Sequence, residues 1–167
     1  MLSRLALGAA LAACSCGTAR RGPSDGGPKV DFEIGSLSFH ISSGAVVSSG
    51  GTLTFYLSDQ PDTCQAIVNV PVGAAITFSL RIAPPIDGTT RATVVAPKPA
   101  PAAGEAVGGL TRATSGVKNA SLDALDGSLA WTANNDGSIT ITSIDVGFAM
   151  TADRLTTGGL SLLPCSP

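Results

Sequence analysis

The chain has 167 residues, room for one domain of ordinary size but not for two comfortable ones. Only 13% of the residues are charged while 44% are hydrophobic, a balance opposite to that of a disordered segment. A formal net charge of −2 and a pI near 5.1 argue against a nucleic-acid partner held through phosphate contacts.

Residues 1–13 read as an export signal. Arg4 supplies a single positive charge, and Leu5 to Ala13 is an uncharged apolar run. As a helix that run rises about 14 Å, far short of a hydrocarbon core roughly 30 Å thick, so it is no transmembrane span. It ends in Leu11-Ala12-Ala13-Cys14, which resembles the lipobox of bacterial lipoproteins. The resemblance implies that Cys14 carries diacylglycerol on its sulfur, that the chain is cut just before it, and that the new amine is acylated. Such chemistry needs a thiol nucleophile at that position and small residues ahead of it. The resemblance therefore implies a bilayer anchor through Cys14, each buried methylene contributing about 0.8 kcal/mol. By the same resemblance, Ser15 in place of an aspartate implies the outer membrane of a Gram-negative envelope rather than retention at the inner one. Two rival readings stand: an ordinary secretory signal with a chance cysteine, and acylation at Cys16, which lacks the upstream leucine.

Residues 14–29 are the lipidated cysteine and a flexible tether of Gly, Ser, Pro and charge without apolar periodicity. Its Arg20, Arg21 and Lys29 keep it wet or touch anionic head groups. From residue 30 to 167 the pattern becomes that of a β domain. Phe32 and Ile34, then Leu37, Phe39 and Ile41, alternate around Gly35-Ser36. Leu53, Phe55 and Leu57 predict the next strand, Ile67 and Val68 a short run, and Ile76, Phe78, Leu80 and Ile82 the cleanest alternation. Residues 89–96 read as another strand, residues 97–104 as a Pro/Ala-rich surface loop, and residues 119–126, with Leu122 and Leu125 three apart, as one or two helical turns. Leu129 and Trp131 lead through Asn134 to Gly137, a hairpin turn, into Ile139 and Ile141. The apolar phase then shifts by one residue to Ile144, Val146, Phe148 and Met150, which predicts a bulge near Thr142 or Ser143. Leu160 and Leu162 supply a last strand. The whole predicts an all-β fold, an antiparallel β-sandwich or a barrel-like form of roughly 8–10 strands.

Cys64 and Cys165 lie within the domain. In an oxidising envelope compartment they are the natural disulfide pair, closing a loop of roughly 100 residues for a chain-entropy gain of about 4.7 kcal/mol at most. Metal binding is the rival use of these thiols, and it lacks ligands.

The residues that could carry chemistry are sparse. His40 is the one histidine, which excludes metal sites built on two histidines from one chain, and no Gly-x-Ser-x-Gly elbow accompanies it. Asp59 and Asp62 flank a turn and are either a carboxylate pair or acceptors for backbone N–H groups. Asp123 and Asp126 read as turn or cap residues. Asn135, Asp136 and Gly137 match only a fragment of a calcium loop. Tyr56 is the one aromatic that alternation places outward, whereas Trp131, in phase with Leu129, belongs to the core.

In overall plan the chain resembles envelope lipoproteins of high-GC Gram-negative bacteria, of the myxobacterial type: alanine-rich, with a lipobox, a short tether and a β domain ending in cysteine. That resemblance implies no activity. The expectation is a membrane-anchored, non-enzymatic module without cofactor or metal, working by contact with an envelope protein or polysaccharide. The alternatives are a carbohydrate- or small-ligand-binding module using Tyr56, Asp59 and Asp62, and a hydrolase using those carboxylates or His40.

Overall fold

The alternating runs form strands because each buries one face and wets the other. The structure, a computed structural model, describes residues 30–68, 74–83, 90–115 and 117–165. The export signal, Cys14, Cys16 and the tether lie outside the described residues. In chain order the elements are β1 (Val30–Ile34), β2 (Leu37–Ile41), β3 (Ser43–Ser49), β4 (Thr52–Ser58), α1 (Thr63–Val68), β5 (Ala74–Ile82), β6 (Arg91–Val95), β7 (Glu105–Thr114), β8 (Val117–Ala133), β9 (Ile139–Phe148), β10 (Arg154–Thr157) and β11 (Leu160–Pro164). The fold is all-β.

The main sheet runs β10-β9-β11-β3-β4-β5-β7-β6-β8, and β8 also pairs with β9. That last pairing closes the ring, so the sheet is a barrel and its interior is a packed core. Phe55 on β4 meets Trp131 on β8 edge-on across it, with ring centroids 5.4 Å apart. Phe78 and Phe148 do the same at 5.9 Å. Trp131 is 4% exposed, a core residue as its phase predicts. Most neighbours are antiparallel, but β11 runs parallel to β3 and β6 parallel to β7, so the sheet is mixed. The strands number eleven among the described residues, partly because the Gly158-Gly159 step divides the last extended run into β10 and β11 along one edge of β9.

β6 is a wedge. It lies between β7 and β8 only over Val95 to Arg91, and beyond it β7 and β8 pair directly from Gly109 and Asp123 onward. The corner where they come together is built from glycines. A Cβ on Gly109 would sit 2.3 Å from the Leu122 carbonyl oxygen, so only a bare backbone fits there.

The β1–β2 hairpin forms a separate two-stranded sheet packed against the barrel's core. Its Ile34, Leu37, Phe39 and Ile41 are buried in the common core. One end continues through Ser42, whose N–H donates to the Ser58 carbonyl at 2.8 Å. The tip reaches the other side, where Gly35 N–H donates to Asp153 Oδ2 at 2.8 Å.

Three local expectations are corrected. Met150 lies past the end of β9, 91% exposed and with φ of 62°, so it continues neither the strand nor its buried face. Residues 119–126 are part of strand β8, not helical turns: Leu125 is an extra residue in a bulge, since Ala124 faces Phe148 and Asp126 faces Gly147. That bulge puts Leu122 and Leu125 out of step, which imitates a helical spacing. Ile67 and Val68 belong to α1 rather than to an extended run; the Asp62 carboxylate accepts the Gln65 N–H at 3.1 Å and caps the helix. The predicted bulge in β9 falls at Thr142, with Ala130 opposite Ser143 and Trp131 opposite Ile141. The hairpin turn at 134–137 is present, closed by the Asn134 N–H donating to the Ser138 carbonyl. Cys64, in the first turn of α1, is disulfide-bonded to Cys165 after β11, with Cα atoms 5.6 Å apart and a sequence separation of 101.

Candidate functional site

The outer face of β6, β8, β9 and β10 carries a set of polar side chains. Cross-strand register arranges them in rows. Arg91, Ala130 and Ser143 form one row, and Thr93, Ser128, Asp145 and Thr156 the next. In the third, Gly147 lies between Asp126 and Arg154. Inward alternation buries Ala92, Leu129 and Ile144, which obliges their neighbours in sequence to face out.

The middle of the first two rows is made of small side chains, and that leaves a depression. A cleft of about 380 Å³ is lined by Arg91, Thr93, Gly104, Ser128, Ala130 and Ser143, floored by Ala92 and Leu129. Gly104 enters from the loop before β7, where its N-terminal neighbours are ordered rather than loose. Lys98 pairs with Glu105, and Arg81 Nη2 donates to the Pro99 carbonyl at 2.6 Å. The Lys98 ammonium and the Ala102 N–H hold the Glu105 carboxyl below the usual carboxylate range.

Beside the cleft, Arg154 bridges two carboxylates. Its Nε donates to Asp145 Oδ1 and its Nη1 to Asp126 Oδ1, both at 2.7 Å. Asp126 is two strands away from Arg154, and the guanidinium reaches it by lying over Gly147. A Cβ on Gly147 would come 2.7 Å from Arg154 Nη1. The guanidinium holds the Asp145 carboxyl below its ordinary value, with the Thr156 hydroxyl adding to the effect. Arg154 is raised in turn, by Asp145 first and Asp126 second. Asp145 Oδ1 takes both of these bonds, and Oδ2 accepts none from the described residues.

The residues singled out in the sequence lie elsewhere. Tyr56 is half-buried on β4, opposite Ala45 and Ser79, and β5 and β7 separate it from the cleft. Asp59 Oδ1 accepts the Ile76 N–H and Gln60 Nε2, both at 2.9 Å, so this carboxylate fastens the end of β4 to β5. Asp62 caps α1. The two carboxylates thus serve separate backbone segments. His40 Nδ1 pairs with Asp31 on the wet face of the hairpin at 2.5 Å. Asp136 Oδ1 accepts both the N–H and the hydroxyl of Ser138 within its own turn. Among the described residues no group of three or more His, Cys, Asp or Glu side chains is placed to hold a metal ion, and no helix is long and apolar enough to cross a membrane.

Sequence reading passed over Arg91, Thr93, Ser128, Ser143, Asp145 and Arg154. The available signal was the small-residue alternation of Ser128 and Ala130 between Leu129 and Trp131, and it acquires meaning only once the strand partners are known. No family model matches the chain, and neither a curated protein nor a solved structure does.

Proposed function

We propose that the protein is a lipid-anchored module of the cell envelope, held to the bilayer through Cys14, that works by contact with an envelope partner and not by turnover. The observation that carries this reading is the Cys64–Cys165 bond. A disulfide spanning most of the domain suits an oxidising compartment, which is where a chain with a lipobox is delivered. The occupied state of the carboxylates supports the non-catalytic part. Asp59, Asp62, Asp126, Asp136, Asp145 and Asp153 each accept hydrogen bonds that hold a turn, a cap, a strand or an arginine in place.

The test is metabolic labelling with an alkyne fatty acid in a Gram-negative host, comparing the full chain with Cys14→Ser and Cys16→Ser. Label that disappears only with Cys14→Ser, together with outer-membrane fractionation, is the expected result. Unlabelled protein, or label that follows Cys16, overturns the anchor as assigned. In-cell crosslinking of the labelled protein then identifies what it touches.

A further inference from the structure

We propose that the outer-face cleft of β6, β8 and β9 binds a carboxylate-bearing saccharide, with the acid group on Arg91 and ring hydroxyls on Thr93, Ser128 and Ser143, and with Asp145, the cross-strand neighbour of Ser128 just outside the cleft, as a further acceptor. The proposal deepens the contact-module reading, and rests on it, by naming a ligand class; it does not depend on the anchor.

Four observations lead there. First, Arg91 lines the cleft and has no hydrogen-bond or ion-pair partner among the described residues; Arg81, Lys98 and Arg154 have one, and the other described cations without one, Arg112 and Lys118, lie outside the cleft. A guanidinium presents a planar fork of donors whose natural complement is a carboxylate. Secondly, three hydroxyls line the same depression, and a hydroxyl both donates and accepts, which suits the ring hydroxyls of a sugar. Thirdly, Asp145 stands directly across from Ser128 and keeps one oxygen unbonded among the described residues. Arg154 fixes its rotamer, so the acceptor is ordered before any ligand arrives. Only β8 separates β6 from β9, so the strands that carry Arg91 and Asp145 run about 10 Å apart. That is the reach of a short oligosaccharide, not of a lone inorganic anion.

Fourthly, no aromatic side chain among the described residues lines the cleft. Neutral sugars held by ring stacking need such a platform, so recognition here falls to the charge of Arg91 and to hydrogen bonds. A protein segment is a poorer fit, because among the described residues the apolar lining is only Ala92, Leu129 and Ala130, without the aromatic anchors that carry most of the affinity at protein interfaces.

The experiment titrates the purified full chain with tetragalacturonate and follows backbone amide NMR shifts. Its methyl ester serves as the uncharged comparison. The expected result is saturable shifts confined to β6, the middle of β8 and the β9 bulge, with little response to the ester. Arg91→Gln weakens binding about tenfold, the usual scale for losing a charge-assisted bond. Ser128→Leu, which fills the depression, removes binding, while Arg112→Gln, a cation on the β7–β8 hairpin, leaves it intact. Thermal unfolding of each variant confirms that it is folded. Equal affinity of Arg91→Gln and the parent overturns the assignment, as do shifts centred elsewhere or no binding at millimolar saccharide. Those failures leave labelling at Cys14 unaffected, so the anchor and the ligand are judged apart.

Discussion

The Gly35 N–H donates to Asp153 Oδ2 across 118 positions of sequence and fastens the hairpin tip to the start of β10. The bond is the polar latch of a closure that is otherwise apolar. Gly35 has φ of 60°, the left-handed region that a two-residue turn requires and glycine adopts without strain. Asp153 also accepts the Thr151 hydroxyl at 2.6 Å, which orients the carboxylate before it meets the hairpin.

Removing the latch loosens the hairpin ahead of the barrel. In Asp153→Ala the amide of Gly35 loses its acceptor, and those of β1 and β2 follow in hydrogen exchange, while β4, β5 and β9 keep their protection. Buried Phe39 and Ile34 still hold the hairpin down, so the change is local opening and not unfolding. Unchanged exchange at Gly35 would show that the apolar face alone seats the hairpin.

Acid weakens the fold. Four carboxylates are held below their ordinary values: Glu105 by Lys98, Asp136 by Ser138, Asp145 by Arg154, and Asp153 by Thr151 and then Gly35. For each, the folded state binds fewer protons than the unfolded chain between the two values. Stability is therefore fully present above the unfolded carboxylate range, around pH 4, and declines as pH falls through the folded values. Urea midpoints measured downward from neutrality should hold steady and then drop. Arg154→Met removes the cause at Asp145 and flattens part of that drop. The exposed ion pairs make only a small salt effect at neutral pH.

The disulfide stabilises by constraining the unfolded chain. Cys64→Ser with Cys165→Ser releases a loop of 101 positions and should cost about 2–5 kcal/mol in denaturant unfolding. The released segment is the end of β11, whose Cys165 N–H donates to the Val46 carbonyl and joins the parallel seam with β3. That seam has only two paired positions on β11, Leu163 and Pro164, so β11 should fray first. A loss below about 1 kcal/mol would mean that the reduced chain already keeps these ends together.

How far sequence reading reached is explained by what each signal depends on. Period-two alternation depends only on neighbours along the chain, so β2, β4, β5 and β9 were legible from their apolar residues. The Thr142 bulge was legible too, because a bulge leaves a phase shift in the strand that carries it. β7 was not, because Gly108 and Gly109 interrupt its alternation to let β5 and β8 approach. The helix α1 was signalled by Asp62 three residues before Gln65, a capping pattern outweighed by the apolar pair Ile67 and Val68. Closure of the sheet and the polar cleft depend on which strands pair. Ser128 lies 35 positions from Thr93, and nothing local in either segment announces that they face each other.

Two glycines separate backbone strain from close packing. Gly127 has φ of +131°, and a Cβ there would sit 2.0 Å from the Asp145 carbonyl oxygen, a backbone atom that cannot swing aside. Gly50, in the β3–β4 turn, has φ of +57° with nothing within 4 Å. Gly50→Ala carries the conformational penalty alone, about 1 kcal/mol. Gly127→Ala adds displacement of β9 and should cost about 3 kcal/mol, or block folding at elevated temperature. Because the atom it meets belongs to Asp145, the same substitution moves the β9 segment beside the cleft, and Ser128 next door moves with it. Denaturant midpoints should rank Gly127→Ala well below Gly50→Ala, and the Asp145 and Ser128 amide shifts should move only in the former. Equal costs at the two positions would mean that β9 gives way freely at Asp145 and that the corner beside the cleft is not rigid.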